Sequence, residues 1–323
     1  MLNILVEPGS YLPLALEDAL YDGDEIISGR LKSPSGSTYS ITNGIPRFVE
    51  TDNYTSSFGV QWNRFAGTQL DSRNGCRYSQ ARFSNEVNWG KDWVGGKLIL
   101  DAGCGSGRFA EIALALGCRL VAIDMSSAID AAKANIAGSA NVTFVQASIY
   151  RLPFRPGTFD GLYSIGVIQH TPDPREALGS LLSVVRRDGR FAVTIYGRAA
   201  WTKLYSKYWV RSIISGLNLS NEKLLQAVEK AMPFAFKVTN ILFRIPVAKK
   251  IFRFIIPVAN YVEKDDMTEK QRYEEAVLDT FDMLSPKYDN PMTVSEIENV
   301  LKTNRIKEYR VLSKRPVNIV GVR

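Results

Sequence analysis

Across residues 97–196 the chain switches between short apolar runs and longer stretches in which apolar residues recur every three or four positions. The runs predict strands at 98–101, 119–123, 142–146, 159–165 and 190–196, and the stretches between them predict helices at 107–117, 126–137 and 174–187. Alternating strand and helix is the pattern of a parallel sheet covered by helices on both faces. Outside this region the pattern changes. Residues 1–50 carry short runs around Ile26-Ile27 and Thr38 to Ile41, set between turn signals at Asp22-Gly23-Asp24, Ser33 to Ser37 and Thr42-Asn43-Gly44. That predicts a small, separate, β-rich piece with a hairpin at Asn43-Gly44. Residues 57–65 place Phe58, Trp62 and Phe65 on one side of a helix. Residues 197–292 are helical and apolar but interrupted by Pro233, Pro246 and Pro257. A stretch of about 95 residues is too long for a structureless loop, so a helical cap over a substrate pocket is expected. Thr293-Val294-Ser295-Glu296 has the form of a capping box and opens a helix to about Thr303; strands at 306–312 and 317–322 then form an antiparallel hairpin. The divisions expected are 1–50, 51–196, 197–292 and 293–323.

The chemistry gathers at the ends of the predicted strands. The first strand runs into Asp101-Ala102-Gly103-Cys104-Gly105-Ser106-Gly107-Arg108-Phe109. Glycines let the backbone turn sharply and let a ligand approach without a Cβ in the way, and the helix that follows offers unpaired N–H groups. The second strand ends in Asp124, about 20 residues on, where a carboxylate can bind ribose hydroxyls. Turn and acid together indicate a nucleoside cofactor, and the spacing fits a nicotinamide fold as well.

The form D-A-G-C-G-S-G-R-F, with an acid before the first glycine, resembles motif I of the class I S-adenosylmethionine-dependent methyltransferases. Leu152-Pro153-Phe154 and Phe159-Asp160 resemble later blocks of the small-molecule "type 11" branch, and Phe58-Gly59-Val60-Gln61-Trp62 resembles segments that precede that fold. The resemblance implies an α/β, doubly wound, mostly parallel seven-stranded Rossmann-like sheet with S-adenosylmethionine as cofactor. On it, Asp101 supports the methionine end or the turn itself. Gly103, Cys104, Gly105 and Gly107 admit the cofactor, Asp124 and Met125 lie by the ribose, and Ser148 and Ile149 lie by the adenine. Ser148 departs from the pattern, which has an aspartate there to accept the adenine amino group. Ile165 and His170 fall where the transferred methyl is expected. His170 is the only histidine, and an imidazole suits a general base, although a packing role is open to it. Trp62, Gln169, Tyr196, Asp282 and Tyr288 are candidate substrate contacts, with Asp279 and Lys287 beside the last two. Arg77 or Arg82 is placed to fork onto the cofactor carboxylate. Residues 28–48 resemble a zinc-ribbon-like module, ending G-x-x-Y-x-I-x-N-G-I-P-R, but Ser33 and Ser35 stand where its cysteines are expected. No metal is expected there, only a structural or docking role.

Composition narrows the partners. The 323 residues carry a net charge of +7, yet 198–258 alone hold eleven Lys/Arg against two Glu, so the positive charge belongs to the cap. Its segment 241–258 sets basic residues among aliphatics and aromatics, which suits either a cap helix with one buried face or peripheral contact with an anionic membrane surface. The three cysteines, Cys76, Cys104 and Cys118, make no zinc pattern and fit a reducing, cytoplasmic setting. Neither a signal peptide nor a membrane-spanning run is expected. The expected reaction is O-methylation of a small molecule, foremost a sugar or a glycan or lipid-linked intermediate. Alternatives are a polyketide or quinone-like acceptor, RNA, and a cofactor-binding pseudo-enzyme subunit, the last motivated by Ser148. Nucleic acid is disfavoured because the charge is confined to the cap and no stacking motif accompanies it. Nothing in the pattern sets an oligomeric state.

Overall fold

The computed structural model describes residues 2–49, 54–136 and 138–323. Ala137, the last residue of one expected helix, lies outside the described residues, as do both edges of the expected 1–50 and 51–196 boundary. The chain begins with a four-stranded antiparallel sheet of β1 (Ala15–Asp22), β2 (Glu25–Lys32), β3 (Thr38–Thr42) and β4 (Ile45–Pro46). Asn43 and Gly44 both take left-handed backbone angles, φ 53° and 68°, as a tight two-residue hairpin requires. Where the cysteines of a metal ribbon were expected, Ser33 and Ser35 donate to the carboxylate of Glu7 at 2.9 and 2.7 Å. The module packs on the rest of the protein. Leu5, Leu31 and Ile41 share an apolar core with the main sheet, and Arg47 donates to Asp130 at 2.6 Å and to Gln146 at 2.8 Å.

Four helices lead into the core: α1 (Ser56–Arg64), α2 (Asp71–Asn74), α3 (Tyr78–Val87) and α4 (Lys91–Val94). The main sheet has seven strands: β5 (Leu98–Ala102), β6 (Arg119–Asp124), β7 (Val142–Gln146), β8 (Phe159–Ile165), β9 (Val185–Ile195), β10 (Glu308–Lys314) and β11 (Val317–Val322). Their order is β10-β11-β9-β8-β5-β6-β7; β5 to β9 run parallel and the terminal hairpin antiparallel. The helices α5 (Ala110–Ala115), α6 (Ala128–Asn135), α7 (Pro174–Ser183) and α12 (Val294–Thr303) belong to the core. The chain leaves β5 toward β6 and β7, then returns to build β8 and β9 on its other side. That makes the carboxyl ends of β5 and β8 a topological switch point, where ligands of such sheets bind.

Several boundaries differ from expectation for physical reasons. The helix expected at 107–117 starts at Ala110, because Gly105 and Gly107 hold φ 54° and 89° and keep the turn open. The helix expected at 174–187 stops at Ser183. Val185 already pairs with Phe159, after which the chain bulges through Asp188 (φ 61°) and rejoins the ladder at Arg190 opposite Gly161. Helix α12 opens as expected: the Thr293 hydroxyl receives the Glu296 N–H, and the Glu296 side chain receives the Thr293 N–H.

Between β9 and α12 lies the cap, with α8 (Ser206–Gly216), α9 (Asn221–Leu242), α10 (Lys249–Ile255) and α11 (Glu269–Leu284). Leu224, Val228, Met232 and Phe236 of α9 pack with Val277 and Phe281 of α11 in an apolar core of their own, which Phe65 joins. Pro233 does not interrupt the cap as expected. It sits on the exposed side of α9, where the packing of Met232 and Phe236 on the opposite face outweighs the lost N–H bond, whereas Pro246 and Pro257 do fall between helices.

Candidate active site

A cavity of about 410 Å³ opens at the carboxyl ends of β5, β6 and β8, roofed by α1 and the cap. Its floor is the glycine turn. Gly103 has φ 83°, and a Cβ there would sit 2.4 Å from the Val167 side chain; at Gly105 (φ 54°) a Cβ would sit 3.2 Å from the Trp62 indole nitrogen. Both positions therefore need glycine for conformation and for space. Gly107 turns away from the cavity and admits α6, its Cβ position lying 3.2 Å from Ile136. The Gly105 N–H donates to Asp124 at 2.9 Å, and Ser126 donates to the other carboxylate oxygen through N–H (2.8 Å) and hydroxyl (2.7 Å). Removal from water raises the Asp124 pKa against these bonds. Asp101 lies below the turn, outside the cavity lining. Tyr163 donates to it at 2.8 Å, and burial pushes it up to about 8. Its position supports the turn.

The other expected cofactor residues separate cleanly. Cys104, Gly105, Asp124, Met125, Ile149 and Ile165 line the cavity. Ser148 does not; its hydroxyl accepts the Tyr150 N–H at 3.2 Å, and Ala147 and Ile149 on either side form the wall. The residues fit a nucleoside with an amino-acid tail: a cradle free of Cβ atoms, a carboxylate at a strand tip and aliphatic walls. The Ser106 hydroxyl is buried on this lining with no partner among the described residues. Of the two candidate arginines, Arg82 lines the cavity and pairs with Glu86 at 2.7 Å, whereas Arg77 is exposed at the start of α3. The aromatic face of α1 is split, with Phe58 and Trp62 toward the cavity and Phe65 in the cap core.

The opposite half is built by β9 and the cap. Tyr196 enters from the end of β9, Lys207 and Arg211 from α8, and Asp279 and Asp282 from α11; Tyr261 and Asp289 complete it. Lys207 meets Asp289 at 2.8 Å and Arg211 approaches the same oxygen at 4.0 Å. Arg108 donates to Gln69 at 2.7 Å, and Gln69 donates to Asp279 at 3.2 Å, which ties the glycine-turn side to the cap. Withdrawal from bulk water, with Glu275 and Asp282 nearby, pushes Asp279 up to about 7. The same withdrawal pushes Asp282 up to about 6, against the Gln61 amide and Lys207. His170 is buried on this wall, between the rings of Phe58 (5.3 Å) and Tyr196 (5.5 Å). Its Nδ1 lies 3.0 Å from the Tyr288 carbonyl oxygen. A carbonyl can only accept, so Nδ1 carries the proton and Nε2 keeps its lone pair. Burial pushes the ring down to about 4, and it is neutral at ordinary pH.

Two expected substrate contacts take other places. Tyr288 contributes its carbonyl, while its ring packs on Tyr54 at 5.4 Å. Gln169 lies behind the lining, fully buried, with neither end of its amide partnered among the described residues. Lys287 is exposed and outside the lining. Lys207, Arg211, Asp289, Tyr261, Gln61 and Arg108 line the site without having been singled out from the sequence.

Residues 100–193 match the family model described as a methyltransferase domain. Over 161 residues the chain is 29% identical to the mitochondrial ubiquinone biosynthesis O-methyltransferase of Schizosaccharomyces pombe, covering 48% of this chain and 57% of that protein. Over 118 residues it is 36% identical to an O-methyltransferase of Aspergillus sclerotiorum, covering 35% and 44%. A solved S-adenosylmethionine-dependent methyltransferase from Methanosarcina mazei aligns with TM-score 0.38 and 17% identity over 70% of this chain and 91% of that one. The chain spans about half the length of the curated relatives it matches. Fold and domain match define a doubly wound, nucleoside-binding core. That core is a class I methyltransferase domain, whose cofactor is S-adenosylmethionine.

Proposed function

We propose that this protein methylates a hydroxyl of a polyhydroxylated small molecule, a sugar or a glycan-like intermediate carried on a lipid. The observation that carries this reading is the union, in one cavity, of the glycine-turn half with a cap half lined by Asp279, Asp282 and Asp289. The two cations that the cap sends inward, Lys207 and Arg211, both face Asp289. Asp279, which accepts the Gln69 amide, and Asp282, which faces Gln61, make no ion pair among the described residues; their remaining lone pairs suit a ligand rich in O–H donors and disfavour an acceptor that is itself anionic. The expected ligand is therefore neutral where it meets α11.

Held on the glycine turn, S-adenosylmethionine supplies an electrophilic methyl group. The residues of this chain do the rest. Asp124 and the turn hold the nucleoside, Trp62 and Phe58 close the cavity against water, and Asp282 with Gln61 orients the acceptor hydroxyl. His170 Nε2 takes the proton released from that hydroxyl. A ring with so low a pKa is a weak base, so most of the acceleration comes from alignment in a dry site.

A second reading, a flat phenolic or quinone-like acceptor, is favoured by the aromatic pair Phe58 and Tyr196 around His170 and by relatives named for ubiquinone biosynthesis. Turnover assays with S-adenosylmethionine against neutral sugars, sugar phosphates and catechols decide between them. Turnover of neutral sugars is expected. Turnover confined to catechols overturns the sugar reading, and calorimetry with no binding of S-adenosylhomocysteine overturns both in favour of a non-enzymatic subunit.

A further inference from the structure

The cap turns Asp279, Asp282 and Asp289 to the cavity, and of its bases only Lys207 and Arg211 line it with them. At its apex, residues 241–255 expose five aliphatic side chains: Ile241 (70%), Ile245, Val247 (87%), Ile251 and Ile255. Between Lys237 and Val258 there are five basic residues and no acidic one. Of these, Arg253 pairs with Glu263 at 2.6 Å; Arg244, Lys249 and Lys250 make no ion pair among the described residues. Tyr205 packs on Phe254 with ring centroids 4.5 Å apart, which brings the start of α8 against α10. The surface continues along α8 through Trp209 (64%), Ile213 and Leu217, one residue per turn. Neither α8 nor α10 has a buried residue. A single solvent-facing aliphatic is ordinary, but a continuous basic and apolar apex marks a surface that something covers.

The chemistry selects the occupant. Aliphatic and tryptophan side chains ringed by lysine and arginine match the boundary between acyl chains and anionic headgroups. A second copy would set like charges against each other. Nucleic acid would neutralise the bases but leave the aliphatics wet. No helix among the described residues is long and apolar enough to cross a membrane, so the apex can only lie in the interface. We propose that the outer face of α8, α10 and the loop between α9 and α10 dock the protein on an anionic lipid bilayer. Lys207 and Arg211 face the cavity while Trp209 and Ile213 lie exposed, so α8 is itself the partition between them. Docking thus sets the acceptor half of the cavity about one helix diameter, ~10 Å, from the headgroups. Lipid binding by this face does not depend on the activity proposed above, and it gives that site access to an acceptor carried in the membrane.

The test is cosedimentation of the full chain with phosphatidylcholine vesicles in which about a third of the lipid is phosphatidylglycerol. Binding is expected to these vesicles and not to pure phosphatidylcholine, and it is expected to weaken between about 0.1 and about 0.5 M salt. Replacing both lysines, K249Q/K250Q, is expected to lower partitioning about 25-fold, at roughly fivefold per basic residue. Replacing two aliphatics, V247S/I251S, is expected to lower it at least about tenfold. All four side chains are exposed, so the variants keep the fold, and unchanged binding of S-adenosylhomocysteine checks this. The proposal is overturned by no binding to anionic vesicles, by equal binding of the variants, or by a wild-type dimer that V247S/I251S converts to monomer.

Discussion

The Nδ1 of His170 lies 3.0 Å from the carbonyl oxygen of Tyr288, and this contact decides which ring nitrogen is free. The carbonyl comes from the segment between α11 and α12, so the return of the chain from cap to core sets the tautomer of the one histidine. H170A is expected to lower kcat by about a hundredfold, the low end for a general base, with binding of S-adenosylhomocysteine changed less than about threefold. Unchanged turnover removes His170 from the reaction. Because burial holds the ring at about 4, no activity limb near neutral pH is expected to belong to it.

Asp282 is the group placed to give such a limb. Withdrawal from water raises it to about 6, and in the function proposed above it serves the acceptor as a carboxylate. The rate at low acceptor concentration is expected to rise with pH through about 6 and level off above it. In D282N that limb is expected to vanish, with kcat/KM about ten- to a hundredfold lower, the worth of a hydrogen bond to a charged group. An unchanged limb in D282N assigns it to another residue, Asp279 first.

Gly103 tests the cofactor half. G103A places a side chain at φ 83°, costing about 1–2 kcal/mol, and drives a methyl to within 2.4 Å of Val167. Affinity for S-adenosylhomocysteine, measured by calorimetry, is expected to fall more than about tenfold. In G103A/V167A the two closest contacts are removed, while the Cβ of residue 167 at 3.0 Å and the backbone strain remain, so part of the loss is expected to return. Equal losses in the single and double variants mean that Val167 does not limit the turn.

The turn itself was readable in the chain because it is local. Asp101 to Phe109 states its conformation through its glycines, and the strands around it state theirs through apolar runs. What escaped is what the fold assembles from afar. Asp289 and Lys207 meet although 82 residues separate them, and no local pattern marks either. Gln69 reaches Asp279 across 210 residues. Ser148 stood at the aligned position for adenine, yet its neighbours Ala147 and Ile149 form the wall, since one residue's difference at a strand end reverses the direction of a side chain. The cap was expected to be basic and to cover the substrate pocket. Its composition is basic, but composition does not say which face a charge occupies: Asp279, Asp282 and Asp289 took the inner one, with only Lys207 and Arg211 of the cap's bases beside them in the lining.

Asp279 shows what that inner face costs the fold. Its pKa rises from 3.8 to about 7, chiefly through loss of water and then through Glu275 and Asp282. Between these values the folded protein holds a proton that the unfolded chain has released. Its stabilising contribution is therefore complete below the unfolded value and is lost as pH rises through about 7. Above that, the native state carries an ionised carboxylate beside two others. D279N removes this charge and keeps an oxygen to accept the Gln69 amide. At pH 8 the variant is expected to melt a few degrees higher than the natural protein, with the difference closing toward pH 4. On the function proposed above, the KM of the acceptor is expected to rise in the same variant, the carboxylate binding the acceptor at the expense of stability. A variant that melts lower at pH 8 shows instead that the ionised group is held by its neighbours, and Asp279 then belongs to the framework of the cap.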